Sequence, residues 1–126
     1  MKKISYEDII KNQEINAYIT MGNECLAVMG YTDHSQIHGT KVAAVAARIL
    51  KELGYSKKEI ELAKIAGYMH DIGNCVNRCD HAHNGAIMTF QILRDLGFPP
   101  QDIAVIVAAI GNHDENTGCA VGLQRY

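Results

Sequence analysis

The pair His70-Asp71 follows an apolar stretch with helical spacing, AKIAGYM, and stands just before Gly73. Burying two ionisable side chains there is costly unless the pair binds a metal ion or its members bind each other. Other histidines stand at corresponding points of three further apolar segments: His38, His81 and His113. Four histidines at the ends of apolar helices predict a polar site inside a helical bundle. A metal centre is favoured there over a set of unrelated core residues.

Composition restricts the classes of partner. The chain has 126 residues, of which 48% are hydrophobic, and these numbers fit one domain, 1–126, with its own core. The net charge is −2 and no basic block is present, which argues against polymeric nucleic acid as a partner. A small phosphorylated ligand stays compatible with this charge, because a bound metal can supply positive charge locally. A homodimer is left open.

No export or membrane signal is visible. No apolar run approaches the roughly 18 residues of a membrane span, and MKKISYEDII has no uninterrupted apolar region after its lysines. We therefore expect no membrane partner, a cytoplasmic location and reduced cysteines. The four cysteines are Cys25, Cys75, Cys79 and Cys119. Cys25 is expected in the core and Cys119 in an irregular or short helical tail.

The hydrophobic spacing is helical throughout, which predicts an all-α compact helical bundle of about five to six helices. A short opening helix is expected near Ser5 and Asp8, and the chain ends in a tail from Cys119. The main helices are predicted at about 14–29, 36–53, 57–71, 81–96 and 101–112. Ser56 and Glu59 form a capping box for the third of these, and Asp80 is a plausible N-cap for the fourth. The segment GNCVNRC between them is expected to be a loop.

The second main helix is expected to turn one stripe toward the core. The stripe is His38, Val42, Val45, Ile49 and Leu53. Its spacing follows the 3.6-residue period of an amphipathic helix.

Two further histidines fit the pattern less well. His83 is two residues from His81, and therefore about 200° around a helix. We favour His81 as the ligand because its face carries Gly85, which would allow close packing beside a metal. His34 precedes His38 by four residues, so both could share a face, but TDHS also has the composition of a turn. A surface or loop position is the simpler interpretation for His34 and His83.

The cysteines offer a rival metal site. Cys75 and Cys79, with His81 or His83, form CxxxC-x-H, which could bind a structural zinc ion. The spacing differs from the commonest CxxC, so this alternative is ranked below the histidine site.

Four segments together resemble the HD-domain superfamily of metal-dependent phosphohydrolases. They are HSQIHGTKVAAVAARILKELGY, LAKIAGYMHDIGN, HAHNGAIMTFQILRDLGF and AAIGNHDE, and their order and spacing cover about residues 32–115. An HD dipeptide alone is a weak signal, whereas an upstream histidine, HDIGN and HxxxGA in this order are a strong one. The resemblance implies an all-helical fold with a metal site between its helices.

The resemblance also implies a ligand set. His38, His70 and Asp71 are similar to the defining ligands, with Asp71 in the place that bridges two metals. His81 and His113 resemble the extra histidines of the binuclear branch of the superfamily. That branch includes HD-GYP-like proteins and dinucleotide hydrolases. Asp114 stands where some relatives have a second histidine, and His34 where some HD-GYP proteins have a further ligand.

One departure concerns the end of the pattern. The superfamily closes with an aspartate on a later helix, and this sequence has no aspartate after Asp114. Three explanations are open: a truncated chain, substitution by Asp114, or loss of a ligand. Because GCAVGLQRY resembles the start of another helix, we expect that C-terminal helices are lacking.

The leading functional hypothesis is hydrolysis of a phosphate ester or anhydride, with a nucleotide favoured. One or two divalent transition metal ions are expected, and histidine with carboxylate ligands suits Fe, Mn, Ni or Zn better than calcium. A metal pair would lower the pKa of bound water toward ~7 and hold phosphate oxygens. Asp71, Lys41 and Arg78 are the candidate catalytic residues. The two cations could neutralise phosphate, or be solvated surface cations.

Two other classes remain open. A metal- or nucleotide-binding regulatory module, catalytically impaired, would explain the missing closing aspartate. A di-iron oxygenase would use a similar helical site, but HDIGN and HxxxGA resemble phosphohydrolases more, so it is ranked last.

Overall fold

The computed structural model describes residues 3–30 and 35–113, and within these ranges all of its regular secondary structure is helical. The predicted all-α class is therefore confirmed. The elements are α1 (Tyr6–Ile10), α2 (Gln13–Val28), α3 (Gln36–Glu52), α4 (Lys57–Met69), a 3₁₀ turn (Ile72–Cys75), α5 (His81–Asp95) and α6 (Pro100–Gly111). None of the described helices has the length and apolarity that a membrane span needs. His34, Asp114 and the tail from Cys119 lie outside the described residues.

Helix α4 is the central element of the bundle, and α1, α3 and α6 pack against it. It begins with the predicted capping box, in which Ser56 Oγ accepts from Glu59 N and Glu59 Oε1 accepts from Ser56 N, both at 3.1 Å. From Ile65 to Met69 every residue is buried. The 3₁₀ turn packs against α2 and α5. The carboxyl end of α4 therefore points into the middle of the bundle.

The predicted core stripe of α3 is wrong in part. Val45 is 45% exposed and Leu53 is 58% exposed, whereas the buried residues of this helix are Gly39, Ala43 and Leu50. The face of α3 that meets α4 is thus formed by small residues such as Gly39 and Ala43 rather than by the largest apolar side chains.

The reason is the close approach of the two helix backbones. A Cβ added at Gly39 would lie 3.0 Å from the carbonyl oxygen of Tyr68, and one added at Gly67 would lie 3.1 Å from Cα of Ala43. Helices this close can meet only through small side chains, and larger residues are displaced to the flanks. His38, beside Gly39, is carried to the same end of α4 as His70.

Several local expectations need correction. Helix α4 ends at Met69 rather than at residue 71, and the predicted loop begins as a 3₁₀ turn. Asp80 precedes α5 as expected, but it has φ +62° and makes no capping hydrogen bond, because its Oδ1 lies 2.8 Å from His83 Nδ1. Cys25 is exposed, not in the core, because it lies on the outer side of α2.

Candidate metal centre

Asp71 lies between four histidines, of which His38 and His81 lie in α3 and α5, while His70 and His113 follow the ends of α4 and α6. Its Oδ2 is 3.0 Å from His70 Nε2 and 3.6 Å from His38 Nε2. Its Oδ1 is 3.5 Å from His81 Nε2 and 3.8 Å from His113 Nε2. Each carboxylate oxygen therefore faces two imidazole nitrogens. The residues form two groups that could each hold a metal ion, and Asp71 belongs to both.

The backbone fixes the orientation of three of these rings. In His70, His81 and His113, Nδ1 lies 2.6, 3.1 and 2.6 Å from the carbonyl oxygen three residues earlier. A carbonyl oxygen can only accept, so Nδ1 carries the proton in each ring. In the neutral ring, Nε2 then keeps its lone pair, which is the state that a metal ligand requires.

The contact between His81 and His113 shows what this arrangement can hold. Their Nε2 atoms are 3.0 Å apart, although both Nδ1 atoms are committed as donors. Two facing lone pairs repel each other unless a proton or a cation lies between them. Two nitrogens each about 2.1 Å from one metal ion, at a right angle, are about 3.0 Å apart. The spacing and the donor set therefore fit a divalent transition metal.

The cluster is largely shielded from solvent, so its charges must be compensated by neighbouring groups or by a bound ion. The side chains of His81 and Asp71 are 7% and 13% exposed, and a buried carboxylate needs compensating charge or hydrogen bonds. Burial lowers the pKa of His70, but the hydrogen bond and charge of Asp71 outweigh it, so this pKa is raised. The pKa of His113 is lowered, first by burial and further by the neighbouring His70 and His81.

The turn after Asp71 brings α5 against the cluster. A Cβ at Gly73 would collide with the carbonyl oxygen of His81 and would lie 2.5 Å from the amide nitrogen of Gly85. A Cβ at Gly85 would in turn be 3.2 Å from Gly73 N. The two glycines thus let the 3₁₀ turn and the first turn of α5 meet backbone to backbone, which agrees with the close packing expected at Gly85.

The remaining predicted residues are placed as follows. His83 is exposed and paired with Asp80, outside the cluster. Lys41 is exposed on α3 and makes no hydrogen bond or ion pair with the described residues of the cluster. Arg78 is half-buried between the 3₁₀ turn and α5, and its carbonyl oxygen lies 3.1 Å from His81 Nδ1.

The rival zinc site is not assembled. Cys75 is half-buried, Cys79 is exposed, and neither belongs to a metal-binding group of the described residues. Cys75 instead packs against α2, where a Cβ at Gly22 would be 3.1 Å from its amide nitrogen.

Sequence reasoning missed one residue of this region. Asn74 is 3% exposed, and its Oδ1 accepts from Arg78 Nη1 at 3.4 Å. The available signal was its place as the last residue of HDIGN, a motif that carried the resemblance but from which no role was assigned to Asn74.

Comparisons with known proteins relate the chain to a curated relative and to a protein family. The chain is 30% identical over 110 residues to the uncharacterized protein MJ1020 of Methanocaldococcus jannaschii, an alignment that covers 75% of this chain and 42% of the relative. The chain thus spans about two fifths of the length of that curated relative. No solved structure matches. The family model of the HD domain matches residues 36–118, which include the whole histidine–aspartate cluster. The chain belongs to the HD domain family.

Proposed function

We propose that the protein is a metal-dependent phosphohydrolase that acts on a phosphate ester or anhydride of a small molecule, with a nucleotide favoured. The observation that carries this proposal is the shared carboxylate of Asp71, whose two oxygens face separate pairs of imidazole Nε2 atoms. A carboxylate in that position suits a bridge between two cations, as two-metal hydrolytic sites require.

The ligand assignment follows from the distances. His38 and His70 with Asp71 Oδ2 would hold one ion, and His81 and His113 with Asp71 Oδ1 would hold the other. Imidazole and carboxylate donors suit Fe, Mn, Ni or Zn. His34 and Asp114 stay as proposed additional ligands outside the described residues.

The bound metal would supply Lewis acidity and a water whose pKa is lowered toward ~7. Asp71 presents both oxygens inward, and the Nδ1–H bonds of the histidines keep their Nε2 atoms directed at it. We assign the phosphate-binding cation to Arg78 because its main chain contacts His81 and its guanidinium donates to Asn74, three residues after Asp71. Lys41, exposed one turn after His38, stays a second candidate for this role.

The test compares Asp71→Asn with Asp80→Asn, which removes an exposed carboxylate outside the cluster. Protein purified without chelator is analysed for metal and then assayed with Mn²⁺ or Fe²⁺ against a panel of phosphate esters and anhydrides. We expect Asp71→Asn to weaken metal binding by more than about 100-fold and to abolish hydrolysis, because outer-shell changes alone cost about 10–100-fold. Asp80→Asn should resemble the wild type.

Other outcomes would identify the alternatives. Metal or nucleotide binding without turnover of any substrate would favour the regulatory module. Oxygen consumption by the iron-loaded protein would favour the oxygenase. Wild-type protein that binds neither metal nor nucleotide would contradict all three.

A further inference from the structure

Asn74 combines deep burial with incomplete hydrogen bonding. Asn74 is 3% exposed, and its side-chain Nδ2 has no hydrogen-bond partner among the described residues. An unsatisfied buried amide costs stability, whereas an apolar side chain of similar size would fill the space without that cost. Packing therefore does not explain a polar residue here, and the explanation must involve its other polar atom, Oδ1.

The Oδ1 atom accepts a hydrogen bond from Arg78 Nη1 at 3.4 Å. Asn74 is itself held on two sides. Its backbone N–H donates to the carbonyl of Asp71 at 3.0 Å, and a Cβ at Gly22 of α2 would lie 3.2 Å from its Cβ. The guanidinium of Arg78 is thus hydrogen-bonded to a side chain whose own position is fixed, three residues after Asp71.

Arg78 also contacts the cluster through its backbone. Its carbonyl oxygen accepts from His81 Nδ1 at 3.1 Å, so its main chain is fixed beside one of the candidate ligands. A guanidinium beside bound metal ions would be repelled by them unless an anion lies between. A fixed arginine next to such a centre therefore favours a ligand with negatively charged oxygens, which a guanidinium can bind through two parallel hydrogen bonds.

We propose that Asn74 is a positioning residue, which holds the guanidinium of Arg78 beside the histidine–aspartate cluster to bind a phosphate oxygen of the substrate. This inference rests on the proposed function, since the phosphate is that of the hydrolysed molecule. Asn74 does not touch the substrate; it acts through Arg78.

Inorganic phosphate is the probe, titrated calorimetrically into Mn²⁺-loaded full-length protein. The variants are Arg78→Gln, Asn74→Leu and the double variant, with metal content and folding checked for each. Arg94→Gln is the matched control, because Arg94 is exposed near the far end of α5 and its change removes the same charge. If Asn74→Leu does not fold, Asn74→Ala makes the same comparison with a smaller side chain.

Arg78→Gln should weaken phosphate binding about 10-fold or more, the value of a lost hydrogen bond to a charged group. Asn74→Leu should weaken it several-fold at unchanged metal content, and the double variant should be no weaker than Arg78→Gln alone. This non-additivity separates positioning from packing, since a packing role would make the two effects add. Asn74→Leu should also fold as stably as the wild type.

Unchanged phosphate affinity in Arg78→Gln and Asn74→Leu, with metal bound, would overturn this inference and leave the proposed function intact. Additive effects, or metal loss in Asn74→Leu, would also overturn it. Failure of the wild type to bind metal would instead overturn the proposed function, and the metal analysis shows this before any phosphate is added.

Discussion

At the scale of single residues, the decisive feature is that three imidazole rings each have one nitrogen hydrogen-bonded to a nearby main-chain carbonyl. His70, His81 and His113 donate from Nδ1 to the carbonyl three residues earlier, so only Nε2 is available to the cluster. In metal-binding histidines the other ring N–H commonly donates to a carboxylate, a backbone carbonyl or water, and here a main-chain carbonyl three residues earlier takes that place. Each ring is therefore oriented before any ion arrives.

The neighbouring histidines of α5 give a matched test. We expect His81→Gln to lose one bound metal ion, because the side chain of His81 is 7% exposed and its Nε2 faces both His113 and Asp71. His83→Gln should keep the wild-type metal content, because His83 is exposed and paired with Asp80. Metal-to-protein ratios by elemental analysis after gel filtration measure both. Equal ratios in the two variants would contradict the assignment of His81.

At the scale of elements, the 3₁₀ turn is the joint between α4 and α5. It reverses the chain so tightly that Gly73 and Gly85 meet without side chains between them. The same turn places Asp71 at its start and leads toward Arg78. The geometry of the cluster thus depends on a backbone contact rather than on large apolar side chains.

Gly73→Ala is expected to destabilise the protein strongly. The new Cβ would collide with backbone atoms of His81 and Gly85, which cannot move aside as a flexible side chain could. We expect a loss of about 3 kcal/mol or more in the free energy of unfolding. Urea denaturation of the metal-free protein measures it.

Gly111→Ala at the end of α6 is the control. Its Cβ would lie 3.4 Å from Cβ of Ala86, an ordinary contact, and alanine favours the helix. Its effect should stay within about 1 kcal/mol. A Gly73→Ala protein as stable as this control would show that the turn can relax, contrary to the contact described.

At the scale of the whole molecule, the existence of the helices and the four histidines that meet at Asp71 could be predicted from sequence, but helix packing could not. Capping residues such as Ser56 identified helix starts, because capping depends on neighbours in sequence. The buried face of α3 was missed at Val45 and Leu53, because the approach of α4 through Gly39 and Gly67 is a long-range contact. Asn74 was missed for the same reason, since its burial depends on α2.

The side chain of Tyr68 on α4 contacts residues of α1 and α2, and its ionisation should affect the stability of the protein at high pH. Its hydroxyl donates to Asn16 Oδ1 at 2.6 Å, and its ring meets that of Tyr6 edge to face. Burial, with a smaller contribution from Tyr6, raises the pKa of Tyr68 to about 12 from 10.0. The unfolded chain therefore ionises first, so the stabilisation from this group is complete below pH 10 and is lost as the pH rises toward 12.

We expect Tyr68→Phe to lose about 1 kcal/mol of unfolding free energy at pH 7 through the missing hydrogen bond. Between pH 10 and 12 its stability should fall less steeply than that of the wild type. Urea denaturation at pH 7, 9, 10 and 11 compares the two slopes. Parallel curves above pH 10 would mean that the Tyr68 hydroxyl ionises as readily in the folded protein as in the unfolded chain.

The division of Asp71 between two pairs of histidines has a consequence for how the site is built during synthesis. His113 follows His38 by 75 residues, so a growing chain contains the early half of the cluster long before the late half. His38, His70 and Asp71 come from consecutive helices that pack on each other, whereas His81 and His113 require α5 and α6. On the ribosome, the half of the cluster around Asp71 Oδ2 can therefore assemble before the residues that surround Oδ1 have been synthesised.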